Sequence, residues 1–160
     1  MPVFEIKFDE ITNRSTLSVE ELELIRKAEE ILQKAYSPYS KFKVGTSLLL
    51  ENGLFLAGNN QENASFPCGI CAERVVLSYA QANYPDLKIK KIAITTIAQN
   101  FEIKSPVAPC GMCRQVILEY ELKQNFPIEI LLFDTEKLLK FKQAKDLLPL
   151  YFSEDRLKRK

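Results

Sequence analysis

Two stretches decide how this chain is read: Pro67-Cys68-Gly69-Ile70-Cys71-Ala72-Glu73-Arg74-Val75-Val76 and, further on, Pro109-Cys110-Gly111-Met112-Cys113-Arg114-Gln115. Each is a C-x-x-C pair running into good helix formers, and each comes after β-type sequence. The first predicts a helix from near Cys71 to about Tyr84, with Val75, Val76, Tyr79, Ala80 and Ala82 on its buried stripe. The second predicts a shorter helix from Cys110 to about Leu122. Upstream, Phe42 to Leu50 and Leu54 to Asn59 flank Glu51-Asn52-Gly53, and Asn-Gly between two apolar runs is a hairpin signal. Ile92 to Ala98 reads as a central strand apolar on both faces. Pro127 to Phe133 and Leu138 to Phe141 read as further strands, and Lys145 to Leu148 as a helical turn before Pro149.

Toward the N-terminus, Ser18-Val19-Glu20-Glu21 is a capping box. It opens a helix to about Tyr36, with Leu22, Ile25, Ala28, Ile31, Leu32 and Ala35 on one face. Residues 2–8 alternate, with Phe4, Ile6 and Phe8 on one side, and read as a short strand or extended arm. The order strand pair, helix, strand, helix, strand describes an α/β sandwich. Because the helices cross over, the later strands are expected to run parallel, with both cysteine pairs at helix N-termini that follow strands. That is the end of such a sheet where ligands bind.

The chain of 160 residues, 46% hydrophobic and 27% charged, fits one domain over residues 18–153. Residues 1–17 form an extension and 154–160 a basic tail, read as solvated. A net charge of +1 points to no polyanionic partner, so nucleic acid is not expected. No stretch approaches the ~20 apolar residues that cross a bilayer, and no secretory signal is apparent. A cytoplasmic location is the default expectation, and there paired thiols are metal ligands more often than disulfides.

The chain has no histidine and four cysteines, which excludes a histidine base or triad and leaves thiolates as the soft ligands. On spacing alone, a closed four-cysteine structural site and an open three-cysteine site fit equally well. Three features favour the open site. Pro109 and the apolar residues after Cys113 make a helix start at Cys110 rather than a knuckle. Glu73, in a first helical turn, leans back toward the same cavity as Cys71. Arg74 and two helix N-termini offset the net negative charge of three thiolates around one Zn²⁺. Cys68, in the loop Pro67-Cys68-Gly69, reads as a small apolar filler. The expected ligands of one zinc are therefore Cys71, Cys110 and Cys113, with water in the fourth position.

These residues resemble the cytidine deaminase family, in its small homotetrameric branch with three cysteine ligands. The resemblance extends to Ala35-Tyr36-Ser37-Pro38-Tyr39-Ser40-Lys41-Phe42, to Asn60-Gln61-Glu62-Asn63-Ala64-Ser65-Phe66 and to Leu147-Leu148-Pro149-Leu150-Tyr151-Phe152. It covers roughly residues 20–153. It implies a three-layer α/β/α sandwich around a mixed sheet of about five strands. It implies hydrolytic deamination of cytidine and deoxycytidine, in pyrimidine salvage, with Glu73 as proton shuttle. Asn60 and Glu62 would hold ribose hydroxyls, Phe42 and Ala72 would border the substrate, and Phe152 would reach a neighbouring subunit's pocket in a homotetramer. Arg74 and Gln115 would support the metal centre from behind. Residues 1–17 have no counterpart in the family, and Lys43 stands where proline is common. The rival readings are a deaminase of another cytosine-containing nucleoside or antibiotic, and a non-catalytic Cys₄ module, which would need Cys68 as a ligand.

Overall fold

The structure, a computed structural model, describes residue 1 and residues 3–153; the basic tail at 154–160 lies outside the described residues. Six strands form one mixed sheet: β1 (Asp9–Ile11), β2 (Phe42–Leu50), β3 (Phe55–Asn59), β4 (Ile89–Ala98), β5 (Glu129–Phe133) and β6 (Leu138–Phe141). Three helices flank it: α1 (Val19–Leu32), α2 (Ala72–Asn83) and α3 (Gly111–Gln124). The strand order is β1-β6-β5-β4-β2-β3.

The run Leu48-Leu49-Leu50 explains the layering. Successive strand residues face opposite ways, and all three leucines are fully buried, so β2 is covered on both sides. Leu48 and Leu50 join Val76, Leu77, Ile117 and Leu118 beneath α2 and α3. Leu49 joins Leu24, Ile25 and Ala28 of α1, with Leu131 and Phe133 of β5. The helix α1 lies so close to β2 that a Cβ on Gly45 would sit 2.2 Å from the Ala28 carbonyl oxygen. Only glycine fits there.

The capping box forms as its sequence predicts. Ser18 Oγ accepts from the Glu21 amide at 3.3 Å, and Glu21 Oε2 accepts from the Ser18 amide at 2.8 Å. The hairpin at residues 51–53 also forms, with Gly53 at φ +85° where a side chain would be strained.

Strand directions come out partly as expected. The strand β2 is antiparallel to both β3 and β4, and β4 is parallel to β5. Hence β3, β4 and β5 run the same way, with α2 crossing over β2 and α3 connecting β4 to β5. β6 instead turns back antiparallel to β5. The turn is tight because Asp134 Oδ1 accepts from the amides of Glu136 and Lys137, both at 2.8 Å.

Three expectations are refined. The sheet has six strands rather than about five, because Asp9–Ile11 adds an edge beside β6. Residues 3–8, expected to be a strand or an arm, join no strand, and Phe4, Ile6 and Phe8 remain exposed. The helix stripes hold in part: Ile25, Ala28, Leu32, Val76 and Ala80 are buried as expected and Leu24 and Leu77 join them, whereas Leu22, Tyr79 and Ala82 are exposed. In α2 the wide polar face tolerates a tyrosine whose ring meets Tyr84 at 6.4 Å.

On the α1 side, four charges make a compact network. Glu21 Oε1 lies 2.5 Å from Lys140 Nζ and 3.1 Å from Lys91 Nζ, and Glu129 bridges the same two lysines at 2.8 and 3.3 Å. Burial by itself would raise the Glu21 carboxyl. The hydrogen bonds from Lys140, Ser18 and Lys91 outweigh that and lower it from 4.5 to about 2. Because the folded value is depressed, the stabilisation is whole above about pH 4.5 and drains away as pH falls toward 2. Glu21→Gln is expected to cost about 2 kcal/mol at pH 7 and much less at pH 2. Chemical denaturation at the two pH values checks this; an equal loss at both would remove the ionic account.

Candidate active site

The shared direction of β3 and β4 places the starts of α2 and α3 at one end of the sheet. Cys71 is the N-cap of α2, and Cys110 is the N-cap of α3. Cys113 follows at the third helical position of α3, so the x-x spacing turns both thiols of that pair toward the gap between the helices. The Sγ atoms of Cys71, Cys110 and Cys113 lie within 4.8 Å of one another. In a tetrahedral thiolate site with Zn–S near 2.3 Å, sulfur atoms sit about 3.8 Å apart. The trio is therefore close to the spacing zinc imposes, and its donor chemistry suits zinc. Cys68 is not part of the trio. It ends a 3₁₀ turn, Phe66–Cys68, and is exposed.

The three thiols perturb one another strongly. Cys71 is drawn down to about 5, first by the hydrogen bond from Cys113, against the opposing effect of burial, and then by the Arg74 guanidinium. Cys113 is pushed up, because it donates that hydrogen bond and is buried beside a thiolate. Such a cluster holds its last protons tightly until a cation replaces them. Arg74 is the nearby compensating charge. Its Nη2 donates to the Gly69 carbonyl at 3.1 Å, while its buried Nε has no hydrogen-bond partner among the described residues.

Glu73 occupies the second position of α2 and is only 4% exposed. Burial pushes its carboxyl up, and the Cys71 thiolate adds to the rise. A carboxyl held above its ordinary range beside a thiol cluster keeps a proton more readily than a free carboxylate does.

Cys71, Cys110 and Glu73 line a cleft of about 390 Å³, and Cys113 is buried behind them. Phe42, Asn60 and Glu62 line the same cleft, as do Val107, Ala108 and Pro109. Asn60 leaves β3 and fixes the mouth of β2: Oδ1 accepts from the Val44 amide at 2.7 Å, and Nδ2 donates to the Phe42 carbonyl at 3.0 Å. One N–H and one lone pair of the amide remain for another partner. Glu62 Oε2 accepts from the amides of Tyr39 at 3.0 Å and Ser40 at 3.3 Å, and Oε1 accepts from the Ser40 hydroxyl. Burial opposes its ionisation, but the Ser40 and Tyr39 hydrogen bonds prevail and hold the carboxyl below its usual range. One cleft thus holds an anionic hydrogen-bond acceptor, Glu62, and a buried carboxyl beside the thiols, Glu73.

The remaining residues named from sequence fall elsewhere. Ala72 is fully buried in the first turn of α2 and is not part of the cleft lining. Gln115 Nε2 donates to the Phe152 carbonyl at 3.0 Å, and the Phe152 ring is 64% exposed and away from this chain's own cleft. Sequence reading missed the wall residues Val107 and Ala108 and also Arg114. Arg114 Nε donates to the Pro109 carbonyl at 2.8 Å and Nη1 to the Leu147 carbonyl at 3.0 Å. The one available signal was that Arg114 directly follows Cys113.

Comparison with known proteins agrees with this geometry. Residues 18–127 match the family described as the cytidine and deoxycytidylate deaminase zinc-binding region. A cytidine deaminase of Halalkalibacterium halodurans is 43% identical over 96 residues, 60% of this chain and 68% of that protein. One of Mycoplasma pneumoniae is 39% identical over 118 residues, 73% of this chain and 80% of that protein. The crystal structure of cytidine deaminase from Burkholderia pseudomallei superposes with a TM-score of 0.68 at 36% identity, covering 82% of this chain and 98% of that one. No described helix is long and apolar enough to cross a membrane. A mixed sheet presenting two helix N-termini, a three-thiol cluster where the matched region binds zinc, and relatives that agree over most of their length make this chain a member of the cytidine deaminase family.

Proposed function

We propose that this chain catalyses the zinc-dependent hydrolysis of cytidine and deoxycytidine to uridine and deoxyuridine plus ammonia, with zinc held by Cys71, Cys110 and Cys113. The observation that carries this reading is the three-thiol cluster with buried Glu73 beside it, at the end of a cleft of nucleoside size. A closed Cys₄ module would draw Cys68 into the cluster, and Cys68 instead faces solvent.

Zinc, when bound, supplies the Lewis acidity that makes water a nucleophile near neutral pH. Glu73 accepts a proton from the attacking water and delivers it to N3 of the pyrimidine. Water adds at C4, and Glu73 then carries a second proton to the departing amine nitrogen. Its burial is what suits it to both transfers, since an exposed carboxylate would hold a proton too weakly. Phe42 and the 107–109 wall exclude water around the base. The remaining valences of Asn60 and the ionised Glu62 are suited to adjacent sugar hydroxyls, which favours nucleosides over the free base. Arg74 balances the thiolate charge, and Gln115 fixes the C-terminal segment through the Phe152 carbonyl. In a homotetramer the exposed Phe152 ring would enter a neighbouring subunit's cleft.

Glu73→Ala is expected to retain one zinc per chain and to lose at least a hundredfold in kcat. Metal analysis alongside an absorbance assay with cytidine checks this, and near-normal turnover would remove the mechanism. Cys68→Ser is expected to keep full zinc content and activity, whereas Cys113→Ser loses both; zinc loss in Cys68→Ser would support the closed module instead. Phe152→Ala is expected to raise KM for cytidine severalfold without altering zinc content. An unchanged KM would exclude the ring from the substrate's surroundings.

A further inference from the structure

Residues 3–8 join none of the six strands, yet they alternate as a strand does, with Phe4, Ile6 and Phe8 at one parity and Glu5 and Lys7 at the other. They lead directly into β1, which lies at the end of the sheet with one edge open among the described residues. Phe4, Ile6 and Phe8 are 62%, 47% and 49% exposed. Phe8 touches the body through Phe141, ring centroids 5.3 Å apart. Lys7 Nζ and Glu5 Oε2 lie 3.5 Å apart on one face, with side chains 82% and 75% exposed, so both charges are open to another partner. An alternating, apolar, unpaired segment continuing an open edge strand is a surface that proteins ordinarily cover.

The charge pattern identifies the cover. In an antiparallel pair, opposed residues share a face and their numbers have a constant sum. If two copies of the segment pair about a twofold axis through Ile6, Ile6 faces Ile6 and Phe4 faces Phe8. Glu5 then faces Lys7, and Lys7 faces Glu5. Sliding the register by two residues in either direction sets Glu5 against Glu5 or Lys7 against Lys7. Sliding it by one sets Phe4 against a charged residue. Among these registers a single one matches apolar with apolar and positive with negative throughout residues 4–8, and it is the symmetric one. We propose that the N-terminal arm is a self-recognition strand, in which residues 4–8 of two copies of this chain pair antiparallel about Ile6.

The contact is isologous, as a twofold axis requires, and adds strand to strand through backbone hydrogen bonds. The arm lies outside residues 18–127, which carry the family match, so this inference stands apart from the deaminase reading. Two short strands alone pair weakly. The arm therefore strengthens an association between folded bodies rather than creating one unaided.

Cysteine cross-linking of the full-length, zinc-loaded chain tests the register, in a Cys68→Ser background that removes the exposed native thiol. Ile6→Cys is expected to give disulfide-linked dimers under mild oxidation. Phe4→Cys alone is not, because its two copies would lie about 13 Å apart at ~3.3 Å per residue, beyond disulfide reach. An equimolar mixture of the Phe4→Cys and Phe8→Cys proteins is expected to cross-link. Adding Glu5→Lys to the Ile6→Cys protein turns both charge pairs repulsive and is expected to lower the cross-linking rate about tenfold at low salt. Combining Glu5→Lys with Lys7→Glu is expected to restore it. Failure of Ile6→Cys to link, self-linking of Phe4→Cys at the same rate, or a double swap no better than the single would each overturn the proposal. Cytidine turnover, measured on the same samples, reports separately on the active site and on folding.

Discussion

The common direction of β3 and β4 is the constraint on which the site depends. Each strand is followed by a helix that starts at the same end of the sheet, so two helix N-termini, with their unpaired amides and positive partial charge, point into one space. Thiolates are costly to gather, since three negative charges within a few ångströms repel strongly. Two helix starts and Arg74 lower that cost before any metal arrives. If β4 ran the other way, α3 would begin at the far end of the sheet, and Cys71 would have no partners. The hairpin at Gly53 and the close packing of Gly45 on α1 keep β2 in place between them.

The same environment separates two carboxylates into different roles. Glu73 is enclosed and next to a thiolate, so its charged form is disfavoured. Glu62 accepts hydrogen bonds from the backbone and hydroxyl of the 39–40 turn, so its charged form is favoured. An acid–base group and a fixed anion thus border one cleft, and the difference arises from what each touches rather than from residue type.

Local features were legible in the sequence because their causes are local. The Ser18–Glu21 box, the Asn52-Gly53 turn and the helix starts at both cysteine pairs depend on a few adjacent residues. The α/β sandwich followed from element order and from the two-faced apolar strand at 92–98, and its three layers from the family resemblance. Features set by distant residues were not legible. The sixth strand exists because Asp9–Ile11 meets β6, more than a hundred residues later, and a three-residue strand carries almost no periodic signal. The network of Glu21, Lys91, Glu129 and Lys140 joins four elements and has no sequence pattern. The stripes of α1 and α2 were read only in part because each helix carries more apolar residues than its buried face takes, Leu22 and Tyr79 being left outside. In that case packing against the sheet, not periodicity, selects which ones are buried.

The two C-x-x-C pairs show why spacing alone left the site ambiguous. In the second pair, Cys110 is the N-cap of α3 and Cys113 lies one turn inside the helix. Helical geometry brings both sulfurs to one side. In the first pair the helix starts later, and Cys71, the second cysteine, is the N-cap. Cys68 then falls three residues before the helix, in a 3₁₀ turn whose amides are committed to Ser65 and Phe66 carbonyls. Equal spacing therefore places one pair on a single helical turn and splits the other across a turn and a helix. The deciding variable is where each helix begins relative to its cysteines. Pro109 before Cys110, against Pro67 before Cys68, marks the wrong cysteine as helix start in the first pair. What displaces the start is Gly69-Ile70, whose backbone pairs with Gln61 through two hydrogen bonds, at 2.9 and 3.0 Å, and so stays extended up to Cys71. The bridge to Gln61 thus keeps Cys68 out of a cluster that holds three thiols rather than four.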